Sequence, residues 1–454
     1  MEEQQVLYEY IMNGLCSWEF QYIKSIFSPN GLIADKATVN TDEFADYYEI
    51  VIYLNRNRKV LFNFSLDGVF LSIALGESGR KNEILLVQRN YNQDIYLFEK
   101  NIENLRLDEL DFYLDYYNEH VIEDKANANR FLKEIKVIIS KLCLSEELPC
   151  NQKKYIQQFI SWIDSYLCDS LPSNNLYSGT LSVLPPSVRP DLDSHYIIVQ
   201  TSYGCRLKTM RNRACAFCGS YKGVEYKPLL IEELINECKL IQKIYPKQCN
   251  HAKYVFLADG DALYDEDIVK KLNVIKELFP KIQGFESFIS TTAILQMPDD
   301  TWISLKRQGL VKVYWGVESA NDETLRLLEK PHSRKTLEQA KAILEANDIS
   351  YEIIVMAGIG ALQKNPAERK KSVKTQHVVD TCEFINSSQC HGVFISRLQL
   401  LQGTKFWEMK KSGDIIPYSN EELSSEYRDM IAAINKDVRG SYGNQFVASG
   451  NHNK

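Results

Sequence analysis

The stretch TSYGCRLKTMRNRACAFCGSYKG, residues 201–223, contains three of the chain's eleven cysteines. Nine residues lie between Cys205 and Cys215, and two lie between Cys215 and Cys218. The stretch begins where the apolar run HYIIVQT, residues 195–201, ends. Such a run predicts a β-strand, so the cysteines are expected in the loop that leaves it. Three thiolates gathered in one loop are typical of a metal centre.

Two kinds of metal centre suit three thiolates. They can bind three irons of a [4Fe–4S] cube and leave the fourth iron open to a substrate or cofactor, whereas an electron-transfer cluster usually takes four cysteines. A zinc site would need a fourth ligand, such as His251 or water. The number of thiolates does not separate these alternatives.

The composition limits which classes of protein the chain can belong to. It has 454 residues, of which 44% are hydrophobic and 25% charged, and its formal net charge is −7. An acidic chain has no overall positive field that would attract nucleic acid. The first residues, MEEQQVLYEY, do not resemble a signal peptide, and no apolar run reaches the roughly 20 residues of a membrane span. The scattered cysteines fit a reducing compartment, so we expect a cytoplasmic protein without membrane contact.

Residues 171–194 are rich in proline and serine, as linkers are. Before them, residues 1–170 contain short β-rich runs and then two amphipathic helices, which predicts a smaller α+β N-terminal module with an antiparallel meander. The β-rich runs are EIVIYLN, KVLFNFS, GVFLSIAL and EILLVQR. The apolar positions of the helices are Phe131, Ile135, Ile138 and Leu142, and then Ile156, Phe159, Ile163 and Leu167.

After the linker, strand patterns alternate with helix patterns over residues 195–415, as they do in βαβ units. Such units predict parallel strands joined by right-handed crossovers. Six units are too few for a closed eight-stranded barrel, but they suit a partial (β/α)6 barrel of the α/β class with functional residues at the carboxyl ends of its strands. Residues 416–454 are expected to form a C-terminal helix and tail. The six strand patterns are HYIIVQT, YVFLA, FESFIS, VKVYW, EIIVMA and VFISRL.

The chain from about Tyr196 to Trp407 resembles the radical S-adenosylmethionine (SAM) superfamily. The commonest cysteine pattern of that superfamily has gaps of three and two residues, and the nine-residue first gap here is similar to that of the Elongator-type catalytic subunits. The resemblance implies that Cys205, Cys215 and Cys218 hold a [4Fe–4S] cluster. Phe217 stands where the superfamily places a hydrophobic residue beside the adenine of SAM.

Later motifs resemble the SAM-binding strands of the superfamily. FLADGDAL, residues 256–263, stands where a Gly-Gly-Glu motif commonly receives the ammonium group of SAM. An ammonium group needs acceptors, and glycine lets the backbone approach closely. The resemblance implies ammonium contacts from Asp259, Gly260 and Asp261, ribose contacts from Ser290, Thr292 and Glu318, a contact of Lys330 with the SAM carboxylate, and adenine contacts from Gly358 and Gly360.

Plainer interpretations exist for some of these residues. Asp259 to Asp261 also fit a turn that closes a strand, and Lys330 also fits a solvated helix end. The sequence GIG at 358–360 lacks the third glycine of a dinucleotide-binding fingerprint, so that interpretation is rejected. No cobalamin-binding signature is present in the sequence. Cysteines 143, 150, 382 and 390 have spacings unsuited to an auxiliary cluster and are expected to be buried structural thiols.

The resemblance implies an enzyme that cleaves SAM reductively to a 5′-deoxyadenosyl radical, which then abstracts hydrogen from a substrate. FLADGDAL and LLQGTKFWEMKKSGDI, residues 400–415, resemble most closely a subgroup without an assigned substrate, so a small molecule or a peptide is expected. Two alternatives stay open: an enzyme that modifies tRNA or another RNA, and a non-catalytic module in which zinc or a cluster organises an interaction surface.

Five cations surround the cysteines in an otherwise acidic chain. Three interpretations suit them. They could contact RNA or phosphate, they could simply lie on a solvated loop, or they could dock an acidic, low-potential electron donor of the flavodoxin or ferredoxin type. We prefer the last two interpretations. The cations are Arg206, Lys208, Arg211, Arg213 and Lys222.

Overall fold

The computed structural model of the chain describes residues 195–218, 225–364, 375–398, 400 and 403–442. Outside these ranges it describes the backbone of eight strands and the helical residues 157, 160 and 161. The predicted linker at 171–194 lies outside the described residues, and the domain boundaries drawn from it stay predictions. Cys143, Cys150 and Lys222 also lie outside them.

Seven strands before the linker form one antiparallel sheet in which each strand pairs with the next. This pairing confirms the predicted meander. Of the two helices predicted to follow it, only the helical residues 157, 160 and 161 are described. The strands are β1 (Lys36–Asn40), β2 (Tyr47–Tyr53), β3 (Arg58–Ser65), β4 (Phe70–Glu77), β5 (Glu83–Arg89), β6 (Ile95–Glu99) and β7 (Asn118–Ile122).

The six strand patterns predicted after the linker form six neighbouring parallel strands of a second sheet, in sequence order. This order confirms the partial (β/α)6 barrel. The strands are β8 (Tyr196–Val199), β11 (Tyr254–Leu257), β12 (Gly284–Ile289), β13 (Leu310–Glu318), β14 (Tyr351–Ala357) and β15 (Gly392–Arg397). Between β8 and β11, the strands β9 (Ser202–Tyr203) and β10 (Lys227–Pro228) form a short antiparallel ribbon.

The C-terminal region departs from the prediction. After helix α11 (Asn420–Ala433), β16 (Val438–Tyr442) adds a further parallel strand beside β15, and β17 (Gln445–Ser449) pairs with β16 antiparallel. The expectation of only a helix and a tail for residues 416–454 is therefore wrong. VRGSY carries glycine and two polar residues among its five, and it forms a strand because the exposed edge of β15 offers backbone partners.

Helices follow the parallel strands, and the predicted helical patterns around residues 230–241 and 268–278 coincide with α2 and α4. The helices are α1 (Arg206–Arg211), α2 (Ile231–Ile244), α3 (Pro246–His251), α4 (Ile268–Leu278), α5 (Thr291–Gln296), α6 (Asp299–Gln308), α7 (Asp322–Leu327), α8 (Arg334–Ala346), α9 (Gln376–Asn386), α10 (Lys405–Ser412) and α11 (Asn420–Ala433). A short 3-10 helix spans Ala262–Tyr264.

The two faces of the second sheet have different roles. Trp315 in β13 faces the helices: its ring lies 5.7 Å from that of Phe384 in α9, and its Nε1 donates to Thr291 of α5 at 3.0 Å. Because side chains alternate along a strand, Tyr314 points to the opposite, concave face. There its ring lies 5.8 Å from Phe256 and 6.2 Å from Phe288, so an aromatic layer fills the middle of the barrel.

A buried set of charges lies on the same concave face, near the amino ends of the strands. We call Glu286, Lys312 and Glu352 the lower ionic cluster. The Nζ of Lys312 lies 3.4 Å from Glu286 and 3.2 Å from Glu352. Both oxygens of Glu286 also accept hydrogen bonds from phenols, from Tyr196 at 3.0 Å and from Tyr314 at 2.8 Å. Residues at this end of a barrel serve mainly its stability.

Candidate functional site

The segment that leads from β8 to the cysteines is held by Asp259, at the end of β11. Its carboxylate accepts five hydrogen-bond contacts of 2.6–3.1 Å from the backbone N–H and hydroxyl groups of Thr201 and Ser202. The carbonyl of Thr201 in turn accepts from the Nζ of Lys271 at 2.9 Å. These bonds occupy both oxygens of Asp259. Asp259 therefore positions the cysteine loop, and the predicted contact of residue 259 with the SAM ammonium group stays a prediction.

A short helix fills the nine-residue gap between the first two cysteines. Gly204 enters it with φ +72°, where a Cβ would lie only 2.5 Å from the carbonyl oxygen of Glu225, so only glycine fits. Cys205 immediately precedes α1, and the backbone N–H of Thr209 donates to the Cys205 carbonyl at 3.1 Å. Asn212 ends the helix with φ 51° and turns the chain towards the second cysteine.

The pair of cysteines that follows is tied to distant parts of the chain. The backbone N–H of Cys218 donates to the carbonyl of Cys215 at 3.0 Å, which closes a turn around the buried Ala216. Ala216 donates to the carbonyl of Leu328 and accepts from the N–H of Phe406, both at 2.9 Å. The turn is thus fixed between the end of α7 and the start of α10.

The three thiols share one electrostatic environment. Burial raises the pKa of the Cys205 thiol to about 11, and the charges of Asp261, Cys218 and Cys215 act in the same direction. A [4Fe–4S] cube binds each thiolate through a different iron. The three thiols therefore lie close enough to interact electrostatically, and Lys330 interacts with those of Cys215 and Cys218. The predicted cluster needs this proximity.

The zinc alternative fits less well. Its suggested fourth ligand, His251, lies at the end of α3 with its ring 5.4 Å from that of His195. His195 precedes β8, whereas Cys205 follows it, so the histidine and the cysteines lie at opposite ends of that strand. Within the ranges that the structure describes, no group of three or more His, Cys, Asp or Glu side chains is arranged to hold one metal ion, and this holds for the three cysteines as well. The metal centre therefore stays a prediction.

Glu318, the last residue of β13, has an unusual backbone. Its φ is +64°, and the N–H of Ser319 donates to the carbonyl of Val317 at 2.8 Å, which makes a three-residue turn. The register with β14 shifts at the same place, between Gly316 and Glu318. The other described non-glycine residues with positive φ follow helices: Asn212, Glu329 and Asp348. Strain at the end of a strand is a feature of functional sites.

Lys330 faces Glu318 across this turn. Its Nζ donates to Glu318 Oε1 at 3.3 Å and to the carbonyl of Gly316 at 3.2 Å, and it lies 5.8 Å from the ring centre of Phe217. Burial lowers the pKa of Lys330, but Glu318 and the thiols of Cys215 and Cys218 outweigh that effect and raise it above its ordinary value. Lys330 is therefore a buried cation and not a solvated helix end.

Asp261 completes a group that we call the upper ionic cluster, together with Glu318 and Lys330. Its two oxygens accept from the N–H of Ser290 at 2.9 Å and from the Ser290 hydroxyl at 2.5 Å. Burial raises the pKa of Asp261 to about 6, against the opposing effects of Ser290, Lys330 and Arg206. At neutral pH the group is mostly a carboxylate, as the predicted ammonium contact requires.

The two hydroxyls proposed for ribose binding differ. Ser290 begins α5: its oxygen accepts from the N–H of Ala293 at 3.1 Å and donates to Asp261, so its only proton is used. The hydroxyl of Thr292 is half-buried and makes no hydrogen bond within the described ranges. Thr292 is consequently the better placed donor.

Gly358 and Gly360 are packed against the chain itself. A Cβ on Gly358, which has φ +86°, would lie 2.7 Å from Leu423 of α11, and a Cβ on Gly360 would lie 2.6 Å from the hydroxyl of Thr375. Their small size is thus already required by neighbouring helices, and the adenine contact stays a prediction. Sequence reasoning also missed Glu426 of α11, which accepts from the N–H of Gly358 at 2.7 Å.

Two of the five predicted cations bind other parts of the chain. The guanidinium of Arg206 lies 4.1 Å from the ring centre of Tyr264 and donates to the Tyr264 carbonyl. Arg211 donates to the carbonyl of Glu329. Both side chains therefore hold the cysteine loop, while Arg213 is exposed.

Two further predictions concern other parts of the chain. Cys382 and Cys390 are both 4% exposed, which confirms their assignment as buried thiols. No described helix is long and apolar enough to cross a membrane.

Comparison with known proteins gives one match to a family. Residues 199–361 match the sequence model described as "Radical SAM superfamily". No curated protein matches the chain.

Several solved structures are similar to parts of the chain. Methylornithine synthase (PylB) is 16% identical with a TM-score of 0.36, over 54% of this chain and 63% of that one. The archaeal Methanocaldococcus infernus Elp3 is 16% identical with a TM-score of 0.37, over 54% of this chain and 56% of that one. Escherichia coli coproporphyrinogen III oxidase (HemN), a radical SAM enzyme, is 14% identical with a TM-score of 0.36, over 52% and 51%. The chain thus spans less than two thirds of each, and likenesses this distant indicate no substrate.

Proposed function

The chain carries a domain of the radical SAM superfamily at residues 199–361, and from that premise we propose that it cleaves SAM reductively and abstracts hydrogen from a small molecule or a peptide. The site supports this proposal through one observation above all. Around the three thiols, the upper ionic cluster has hydrogen-bonding capacity that the protein itself does not use.

The unused capacity can be counted. An ammonium group has three N–H donors, and Lys330 uses two of them, on Glu318 and Gly316. Glu318 Oε2 accepts no hydrogen bond within the described ranges, and its Oε1 accepts only from Lys330. Buried polar groups are nearly always paired. The free donor and the free acceptor therefore suit a polar ligand with both a carboxylate and hydroxyls, as SAM has.

Each residue has a defined task in this proposal. Cys205, Cys215 and Cys218 would hold a [4Fe–4S] cluster, which when bound supplies the electron that splits SAM into methionine and a 5′-deoxyadenosyl radical. Lys330 would bind the SAM carboxylate with its remaining N–H, and Glu318 Oε2 would accept from a ribose hydroxyl.

Three other groups would orient the rest of the ligand. The carboxylate of Asp261 would receive the ammonium group, and the hydroxyl of Thr292 would donate to the ribose. Phe217 would border the adenine, as the family resemblance implies. The reaction depends on orientation, because a radical attacks whatever lies within reach.

Exclusion of water is the second contribution of the protein. Behind Phe217 lies a buried apolar group that includes Ala216, Leu328, Ile359 and Phe406. On the concave face, Phe256, Phe288 and Tyr314 line the barrel below the site. The apolar surroundings favour a small or peptidic substrate over a polynucleotide.

The source of the electron is part of the proposal. The reduced cluster needs a low-potential donor, and an acidic donor of the flavodoxin or ferredoxin type would meet the exposed Arg213 beside the thiols. Contact with RNA is less favoured, because Arg206 and Arg211 are already committed to Tyr264 and Glu329.

The test is anaerobic reconstitution with iron and sulfide, followed by counting of iron and an assay of 5′-deoxyadenosine formed from SAM under dithionite. We expect about four irons per chain. Cys215→Ala should lose both iron and cleavage, whereas Cys382→Ala, which removes a buried thiol that contacts the Met430 carbonyl of α11, should keep both.

Two results would overturn the proposal. One is tight binding of zinc in place of iron, with no cleavage under any reductant. The other is equal activity in the Cys215→Ala and wild-type proteins.

A further inference from the structure

The left-handed backbone of Glu318 needs support from its surroundings, because a residue with a Cβ avoids this conformation. The support comes from α9. The residue after Glu318, Ser319, is fully buried, and its hydroxyl lies 2.8 Å from Nδ1 of His377. The N–H of Asn321 donates to the same hydroxyl at 3.1 Å.

His377 makes its second bond to the neighbouring strand. Its Nε2 lies 2.9 Å from the carbonyl oxygen of Met356 in β14. A carbonyl only accepts, so Nε2 carries the proton and Nδ1 of the neutral ring is the acceptor. The direction of the first bond follows: the hydroxyl of Ser319 donates to His377.

The ring is held in this neutral form from several sides. His377 is 1% exposed, and burial lowers its pKa. The hydroxyl of Thr381 lies 3.3 Å from the same Nδ1 and accepts from the N–H of Ala320 at 3.0 Å. Each nitrogen of the ring therefore has a partner, and the chain from Ser319 to Asn321 is tied to α9.

His377 also reaches the glycine loop after β14. A Cβ on Gly360 would lie 2.8 Å from the Cβ of His377, and Met356 stands two residues before Gly358. One side chain thus joins the end of the strand that carries Glu318 to the loop that contains both predicted adenine-binding glycines.

We propose that His377 is a positioning residue for SAM, which acts through Ser319 to hold the Glu318 carboxylate at a fixed place relative to the 358–360 loop. This inference rests on the proposed function of the site. It predicts that loss of the bond between Ser319 and His377 weakens SAM binding although neither residue touches the ligand.

Three variants separate the two bonds of the ring. Ser319→Ala removes the donor. His377→Asn keeps an acceptor near the position of Nδ1 but does not reach Met356, whereas His377→Gln keeps a donor near the position of Nε2 and lacks the acceptor for Ser319. Ser287→Ala is the matched control: Ser287 is also fully buried, but its hydroxyl lies 2.9 Å from the Phe288 carbonyl, outside this network.

The measurement is the dissociation constant of SAM by equilibrium dialysis with the reconstituted protein, alongside iron content and thermal unfolding. We expect binding about tenfold weaker in Ser319→Ala and His377→Gln, as the loss of one buried hydrogen bond implies. His377→Asn should bind more tightly than His377→Gln, and Ser287→Ala should match the wild type.

A double-mutant cycle tells positioning from general damage. If His377 acts through Glu318, Ser319→Ala should add almost nothing to the effect of Glu318→Gln. The inference is overturned if Ser319→Ala leaves SAM binding unchanged, or weakens it equally in the Glu318→Gln background. A wild-type protein that holds four irons but does not bind SAM would overturn the proposed function as well.

Discussion

The two ionic clusters of the barrel have the same composition, two carboxylates and one lysine, and lie at opposite ends of its strands. Burial does not distinguish them, because the side chain of Lys312 in the lower cluster is 18% exposed and that of Lys330 in the upper cluster 11%. They differ in whether the lysine has an N–H donor that the protein leaves without a partner. Lys312 bridges two carboxylates, whereas Lys330 has one close carboxylate partner and one N–H to spare.

The backbone shows the same contrast. A register shift adjoins both clusters, between Phe285 and Glu286 in the lower one and between Gly316 and Glu318 in the upper one. Of these glutamates, only Glu318 has a left-handed backbone. Buried charge alone is therefore a poor sign of function. Unused hydrogen-bonding capacity together with local strain is a better one.

The largest expected effect comes from exchanging each lysine for methionine. Lys330→Met removes the cation next to the thiols and should lower kcat/KM for SAM cleavage at least about a hundredfold, because a charge-assisted hydrogen bond is lost. Lys312→Met leaves two buried carboxylates without their cation and should lower the free energy of unfolding by about 3–5 kcal/mol. Its activity per folded molecule should be unchanged.

The measurements are steady-state cleavage and denaturant unfolding on both variants. Glu352→Gln, which removes one charge and keeps the shape of the side chain, serves as a milder change should Lys312→Met not fold. If a folded lower-cluster variant loses SAM cleavage as fully as Lys330→Met does, the division between the clusters is wrong.

The next prediction concerns how the free energy of unfolding depends on pH, through His332, which interacts with Lys330 of the upper cluster. Burial, together with the charges of Lys330 and Arg211, lowers the pKa of His332 to about 3, and its Nε2 is buried without a hydrogen-bond partner. The unfolded chain protonates this ring near pH 6.5. The folded chain does not, so the stability that a neutral His332 contributes is lost as pH falls from about 6.5 to about 3.

His332→Gln, which cannot take up a proton, should flatten this part of the stability profile. Between pH 6.5 and pH 3, the free energy of unfolding should fall by on the order of 3 kcal/mol more in the wild type than in the variant. This figure allows for solvent screening of the half-buried ring. Urea unfolding at several pH values provides the measurement. Parallel profiles for the wild type and the variant would show that the charges of the upper cluster do not act on this ring.

The smallest effect separates functional strain from ordinary strain. Asp348 follows α8 with φ 51°, and its ion pair with Lys306, at 3.0 Å, is exposed. Asp348→Gly should raise the free energy of unfolding by about 0.5 kcal/mol and leave SAM binding unchanged. Glu318→Gly relieves the same kind of strain but removes the ligand contact, so SAM binding should be lost. Equal SAM affinity in the two variants would refute a role for Glu318 in SAM binding.

The sequence predicted those features that depend on local patterns. Apolar runs predicted all six barrel strands, which the structure confirms. The spacing of Cys205, Cys215 and Cys218 predicted a metal centre, which stays a prediction. The sequence did not predict that Asp259 holds the cysteine loop, because this contact depends on the positions of Thr201 and Ser202, 58 and 57 residues away.

Pairings between distant residues could not be predicted. Ser319 and His377 are 58 positions apart, and no spacing connects them. A positive φ at Glu318 has no signature either, because glutamate has no preference for that conformation. The strand β16 was missed for a related reason: its sequence is polar, and its partner is a strand that lies about 45 residues earlier.

The bonds of Ala216 have a consequence for biosynthesis. Two of the three thiols flank a residue whose backbone partners are Leu328 and Phe406, so the turn between them is complete only after the chain has been made beyond residue 406. A chain still emerging from the ribosome folds its earlier segments first. At that stage the thiols would be exposed on an incompletely folded chain, where they could be oxidised or could bind other metal ions. Delivery of iron and sulfide to this protein is therefore expected to follow translation rather than accompany it.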